Sequence, residues 1–388
     1  MHEEDNISYQ DLIKFHEEQK PLYTCNIIIS SVENNYLIDV NGKKYLDFAS
    51  GENLLGYLPK EDPSSYCYFD SGLFVSSHAL ELEKEFEKLT GLSRSVFTAS
   101  QKECYQITSK MVGDYLNLTN KKRVLICVKE RENYFIPDAG IDYIPLNASG
   151  VARSVFTKEV GAVIIQPVQI TDSVSIAEAE YLSALRELCD KNNAIMAVDV
   201  SSISPLRLGE EFLNFESSIK PDIIMISKGF TQGIPFGAII FSEKLNKPEL
   251  KGISSSVASY RQVLRLLQDY ISNDITNILK SNVEYVFKRL LELQNTHISV
   301  LDVQSYGMMF TIELDINAYS FSEMCLNEGI IADVLSEKLI KLSPPYTIGK
   351  EEIDKLINAL DKSIDKLAVY DRLRYYFMRL AEAFVRCD

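Results

Sequence analysis

Lys220-Pro221-Asp222-Ile223-Ile224-Met225-Ile226-Ser227-Lys228-Gly229-Phe230-Thr231-Gln232-Gly233-Ile234-Pro235-Phe236-Gly237-Ala238 carries the sharpest structural signal in the chain. The short apolar run from Ile223 to Ile226 reads as a buried strand. Lys228 follows it, and then a loop holding Gly229, Gly233, Pro235 and Gly237. Upstream, Ala194-Ile195-Met196-Ala197-Val198-Asp199 is a second apolar strand, and it ends in an acid. A lone strand-end lysine usually snorkels to water. Between apolar walls it would instead lose hydration, which favours the neutral amine. Such an amine can attack a carbonyl and form a Schiff base. An aspartate at the end of a second strand favours this reading.

Working outward, strands and helices alternate. Strands are expected over 95–99, 123–128, 141–146, 161–167, 194–199, 222–227 and 238–241, with helices over 78–90, 100–116 and 178–192. Strands apolar on both faces and linked through helices indicate a parallel-rich sheet covered on both sides. Residues 36–48 read as a hairpin, with Asn41-Gly42 supplying a type I′ turn. A helical stretch over 262–293 leads to a smaller α/β unit, with strands at 299–303 and 308–314 and a helix over 351–367. A short helix is expected over 10–18. Residues 370–385 form a further amphipathic helix, with Leu373, Tyr376, Phe377, Leu380 and Phe384 on one stripe. The expected division is 1–50 as an N-terminal segment of the small domain, 51–270 as the large domain, 271–365 as the small C-terminal domain and 366–388 as a helical extension.

Composition narrows the function classes. A chain of 388 residues, 46% hydrophobic, can bury a large core and is not disordered. Its 55 acids against 40 bases give a net charge of −15, which argues against nucleic acid and anionic membrane as partners. No run approaches the roughly 18 apolar residues of a membrane-spanning helix. Residues 1–6 are acidic and lack an apolar signal region. Cys25, Cys67, Cys104, Cys127, Cys189, Cys325 and Cys387 form no CxxC pair, which suggests reduced thiols in the cytoplasm. His2, His16, His78 and His297 lack metal-site spacing, so no metal is expected.

A lysine that can hold an aldehyde and an aspartate that can hold a pyridinium proton are what pyridoxal 5′-phosphate requires. At this point the residues resemble a family. Leu37-Ile38-Asp39-Val40-Asn41-Gly42, Ile165-Gln166-Pro167-Val168-Gln169, the ungapped span from Asp199 to the Lys228 segment, Ser305-Tyr306-Gly307-Met308-Met309 and Leu342-Ser343-Pro344-Pro345 are similar to class III aminotransferases. Within that class the acetylornithine aminotransferases are the best match. The resemblance implies fold type I: an α/β large domain with a mostly parallel seven-stranded sheet, and a small C-terminal α/β domain. It implies that Lys228 is the Schiff-base lysine and proton shuttle, and that Asp199 faces the pyridine nitrogen. It also implies a homodimer with shared sites, in which a partner loop near Ser254, Ser255 or Ser256 reaches the phosphate. An amino donor and a 2-oxo acid would be the substrates.

The departures are specific. The family's Ser-Gly-Thr phosphate loop is here Ser100-Gln101-Lys102. Helix amides can still hold an anion there, and Lys102 is either a point charge for it or a solvated helix residue. The family's Glu-Val-Gln after the aspartate is Val200-Ser201-Ser202, where Ser202 has a shorter reach toward the ring hydroxyl. Tyr134 or Phe135 stands in for an absent aromatic-His-Gly segment. The substrate-gating Glu and Arg of the family are Thr171 and Lys341, and a lysine cannot clamp a carboxylate in bidentate fashion. Three readings stay open on these residues: an aminotransferase with changed selectivity, the same cofactor used for epimerisation or decarboxylation, or a non-catalytic scaffold. The joint retention of Lys228 and Asp199 favours the first.

Overall fold

The structure is a computed structural model describing residues 29–48, 77–128, 134–171, 173–208, 219–230, 234–245, 256–272 and 275–385. The helix expected over 10–18 and the partner-loop residues Ser254 and Ser255 lie outside the described residues.

β1 (Ile29–Glu33), β2 (Tyr36–Asp39) and β3 (Lys44–Asp47) form an antiparallel meander. The turn between β2 and β3 is not the tight type I′ turn expected. Only Gly42 of the Asn41-Gly42 pair has positive φ, at +81°. Asp39 Oδ1 instead accepts from the backbone N–H groups of Asn41 and Lys43 at 2.8 and 2.9 Å. This carboxylate cap holds a wider loop, the usual use of Asp in turns.

α1 (Ser77–Thr90) is followed by β4 (Arg94–Thr98), α2 (Gln101–Thr119), β5 (Arg123–Cys127), β6 (Gly140–Tyr143), α3 (Ser149–Val155) and β7 (Val160–Ile165). A small hairpin, β8 (Val168–Ile170) and β9 (Val174–Ile176), precedes α4 (Ala179–Lys191). Then come β10 (Ile195–Asp199), α5 (Pro205–Leu208), β11 (Ile223–Ile226) and β12 (Gly237–Phe241). The large sheet has seven strands in the order β4-β12-β11-β10-β7-β5-β6. Only β12 runs against its neighbours; the other pairings are parallel.

Each central strand feeds two cores. Met196, Val198, Ile224 and Ile226 pack with Phe86 of α1 and Leu185 of α4. Ile195, Ala197, Ile223 and Met225 pack on the other side with Cys104, Tyr105 and Met111 of α2. That is why these strands are apolar at successive positions rather than alternate ones. Asp199 lies opposite Met225 in the parallel β10–β11 pair. The C-terminal ends of both strands therefore open at one edge, where open α/β sheets place their ligand crevice.

The chain continues through α6 (Val257–Ser272) and α7 (Ile275–Thr296), β13 (Val300–Tyr306), β14 (Met309–Leu314), α8 (Ala318–Asn327), β15 (Ile330–Ile331), β16 (Asp333–Ser336), β17 (Leu339–Leu342) and α9 (Lys350–Val385). β13-β14-β17-β16 is an antiparallel sheet, and β15 joins the N-terminal meander parallel to β3. α9 is one continuous helix where two were expected. Ala368 and Val369, at the expected break, are neither glycine nor proline. The stripe from Leu373 to Phe384 lies among side chains outside the described residues.

Arg207, at 1% exposure, ties the two halves together. Its Nη1 donates to the carbonyls of Met308 (3.2 Å) and Pro344 (2.5 Å), and its own carbonyl accepts from Met308 N–H. Among the described residues its Nε and Nη2 find no hydrogen-bond partner. Burial pushes this guanidinium down to about 10, with the Asp47 charge opposing the shift.

Candidate active site

Ser201 organises the strand ends. Its backbone N–H and its Oγ donate to Asp199 Oδ1 at 2.9 and 2.5 Å. Its carbonyl accepts from the Lys228 backbone N–H at 3.1 Å. The turn after β11 depends on Gly229, at φ +82°. A Cβ there would meet Ser204 Cβ at 2.2 Å, so only glycine lets Lys228 sit on this turn. The Lys228 side chain is exposed. It is not desolvated as the expected apolar walls would require, because periodicity fixes a strand's faces and not the direction of a side chain beyond its end.

Asp199 is buried, at 2% exposure. Its Oδ2 accepts from the Tyr134 hydroxyl at 2.7 Å. Burial first, and then the Asp199 charge, push the Tyr134 phenol well above its ordinary value, so it stays protonated and donates. Of the two aromatic candidates, Tyr134 is buried and Phe135 is 76% exposed. Ser202 accepts from Gln166 Nε2 at 2.8 Å.

The start of α2 is closed by a variant of the capping box, with the glutamate reaching the residue before the N-cap Ser100. Ser100 Oγ accepts from Glu103 N–H at 3.2 Å, and Glu103 Oε2 accepts from Ala99 N–H at 2.8 Å. The signal was in the sequence as Ser100-x-x-Glu103, and reading the segment only as a phosphate loop missed it. The first-turn amides of Gln101 and Lys102 have no intrahelical acceptor and remain for an anion. The Lys102 side chain is exposed. Gln101 turns inward: its Nε2 donates to Tyr105 Oη at 2.5 Å and to Ser201 Oγ at 2.9 Å. Tyr105 was also missed, because its part depends on contacts with residues distant in sequence.

The two substrate-gate positions sit on the β8–β9 turn and on β17. Thr171 sits in the β8–β9 turn, where its backbone N–H and hydroxyl both meet the Ser173 carbonyl. Lys341 on β17 forms an ion pair with Asp333 of β16 at 2.7 Å. These strands are neighbours, and the two residues are register partners.

The architecture defines the class. A seven-stranded, nearly all-parallel sheet with an acid and a lysine at adjacent strand ends is the frame of a fold type I pyridoxal-phosphate enzyme. Solved structures agree on the fold. Acetylornithine aminotransferase from Elizabethkingia anophelis superposes with a TM-score of 0.78 at 18% identity, covering 92% of this chain and 99% of the other. Ornithine δ-aminotransferase from Plasmodium falciparum gives 0.78 at 18% identity, covering 92% and 98%. In sequence, acetylornithine aminotransferase from Methanocaldococcus jannaschii is 26% identical over 364 residues, which is 84% of this chain and 90% of that protein. The enzyme of the same name from Clostridium acetobutylicum is 23% identical over 373 residues, covering 87% and 96%.

The aminotransferase class-III family model matches residues 137–364, more than half of the chain, and the chain belongs to that family. Its chemistry is the pyridoxal-phosphate-dependent transfer of an amino group, and this favours transamination over epimerisation, decarboxylation or a scaffold role. The donor set fits the cofactor at both ends: a buried carboxylate at the end of β10 suits a ring N–H, and the free amides at the start of α2 suit a phosphate. Among the described residues no helix is long and apolar enough to cross a membrane.

Proposed function

We propose that Lys228 and Asp199 are the catalytic pair of this aminotransferase. The transferred group comes from an amino acid or ω-amine of the acetylornithine type and goes to a 2-oxo acid. The observation that carries this reading is the Ser201 link, which fixes the acid through its side chain and the lysine through its carbonyl. The names of the relatives support the donor class.

Bound pyridoxal phosphate supplies an electron-withdrawing ring that accepts charge released at the donor's amino-bearing carbon. The chain's residues do the rest. Lys228 Nζ takes the proton from that carbon and returns it, as a general acid–base group. Asp199 holds the proton on the ring nitrogen. The amides of Gln101 and Lys102, beside Ser100, hold the phosphate, and Ser255 of a sister subunit completes it. Ser202 and Tyr134 border the ring, and Thr171 and Lys341 border the substrate. In this reading the enzyme is a cytoplasmic homodimer, with its large domain over 51–270 and its small domain built from 1–50 and 271–365.

The test is an absorbance titration of purified protein with the cofactor. A visible band should form, vanish on borohydride reduction, and leave the cofactor's mass on the peptide containing Lys228. Lys228→Ala should carry no cofactor mass after reduction. Cofactor mass fixed in that variant on another lysine would overturn the assignment. A panel of ω-amino acids with a 2-oxo acid then identifies the donor.

A further inference from the structure

The elements expected to hold the two ends of the cofactor are already bridged by the chain's own side chains. From the α2 side, Gln101 Nε2 reaches Ser201 Oγ at 2.9 Å. Ser201 Oγ in turn sits 2.5 Å from Asp199 Oδ1. From the β5 side, the Tyr134 hydroxyl reaches Asp199 Oδ2 at 2.7 Å. Tyr105 closes the ring: its hydroxyl takes the second Gln101 bond, and its aromatic ring lies 5.0 Å from that of Tyr134, centroid to centroid. The result is a continuous polar chain from the helix start to the buried acid.

We propose that Gln101 and Tyr134 are internal stand-ins for the cofactor. Tyr134 O–H supplies Asp199 with the donor that a ring N–H would supply, and Gln101 spans toward the phosphate end. Cofactor entry then exchanges these bonds for bonds to the ring and phosphate. This rests on the role proposed for Asp199 and extends it. The affinity for the cofactor is then reduced by what these two groups contribute. Two features of the sequence support the exchange. Gln101 stands where the class III pattern has glycine, which has no side-chain amide to make the bridge. Ser201 stands where that pattern has valine, and it is the hydroxyl that receives the bridge.

The experiment uses full-length protein stripped of cofactor and titrated with pyridoxal phosphate, with thermal unfolding of the stripped protein in parallel. Tyr134→Phe keeps the ring and removes the competing donor. It should tighten cofactor binding about 10-fold, the worth of one hydrogen bond to a charged acceptor. Its stripped form should melt about 2 °C lower. Gln101→Gly should tighten binding about fivefold by the same argument. Unchanged or weaker binding in both variants would overturn the proposal, since it would mean that these groups support the cofactor instead of replacing it. No binding at millimolar cofactor by wild type and both variants would overturn it together with the underlying role of Asp199. That outcome is distinct, because in the first case wild type still binds.

Discussion

The strand ends of the large sheet and the outer face of the β13–β14–β17–β16 sheet treat charge in opposite ways. At the end of β10, Asp199 is buried and receives hydrogen bonds from Tyr134 and Ser201. On the other sheet, charges meet in pairs: Lys341 with Asp333 across two strands, and Lys338 with Asp315 at the strand ends. The first arrangement concentrates donors on one acid. The second cancels each cation locally. Topology builds the first, because parallel strands must present their C-terminal ends together. Strand register builds the Lys341–Asp333 pair, since the two are partners on adjacent strands.

The largest effect that could break this contrast is on Lys228. Lys228→Ala should lower the transamination rate by at least about 10²–10⁴-fold, the range for losing a positioned acid–base group. The fold should be unchanged, since the side chain is exposed. A variant retaining a tenth of the wild-type rate would move the reaction's anchor elsewhere. Next in size is the buried pair that seats β11. Arg186 meets Asp222 at 2.7 Å, with side chains only 7% and 5% exposed, and Asp222 also accepts from Met196 N–H. Asp222→Ala removes the buried partner of Arg186 and leaves it the exposed Asp190 at 2.8 Å, and should cost about 3 kcal/mol in urea unfolding. Asp333→Ala breaks a pair on the other sheet whose side chains are 16% and 38% exposed, and should cost less, about 1–2 kcal/mol. Equal costs would erase the distinction.

Much of this contrast was legible in the sequence, and the residues show where it stopped. Ile223 to Ile226 and Ile195 to Asp199 were readable because a doubly covered strand is apolar at every position, and few other environments select so short and unbroken a run. The lysine and the acid were readable because they end those strands. The direction of Lys228 was not, since it depends on a turn whose shape Gly229 and Ser204 decide together. The inward turn of Gln101 was hidden for a related reason: its acceptor Ser201 belongs to a different strand end, and a glutamine at a helix start is ordinarily solvated. The expected break in α9 had no physical basis, because neither glycine nor proline lies near it.

Alkaline stability sharpens the comparison at smaller scale. Burial pushes the Cys104, Cys189 and Cys325 thiols up to about 12. Their ordinary value is 9.0, so between pH 9 and 12 the unfolded chain releases protons that the folded chain keeps. Stability is therefore fully present below pH 9 and is lost as pH rises through this window, by about 1.4 kcal/mol per pH unit per thiol. Arg207 acts with the opposite sign above its depressed value of about 10, so the clean interval is pH 9 to 10. Cys104→Ala, beneath the strand ends, and Cys325→Ala, in α8, should each flatten the fall in urea midpoint by a similar amount. If only one does, the two regions do not unfold together.

The smallest expected effect concerns Lys341. A cation held 2.7 Å from Asp333 is already neutralised, so its pull on a substrate carboxylate is weak. Lys341→Met should change the preference for α-amino acids over plain amines, read as the ratio of kcat/KM values, by less than about threefold, a surface-pair magnitude. Asp333→Asn does the reverse: it releases the cation without moving it. That variant should shift the ratio toward carboxylate-bearing donors by about fivefold, the equivalent of roughly 1 kcal/mol. If Lys341→Met instead abolishes the preference, the lysine leaves Asp333 when substrate arrives, and the charge pairing on this face is a resting arrangement that the donor's carboxylate competes for.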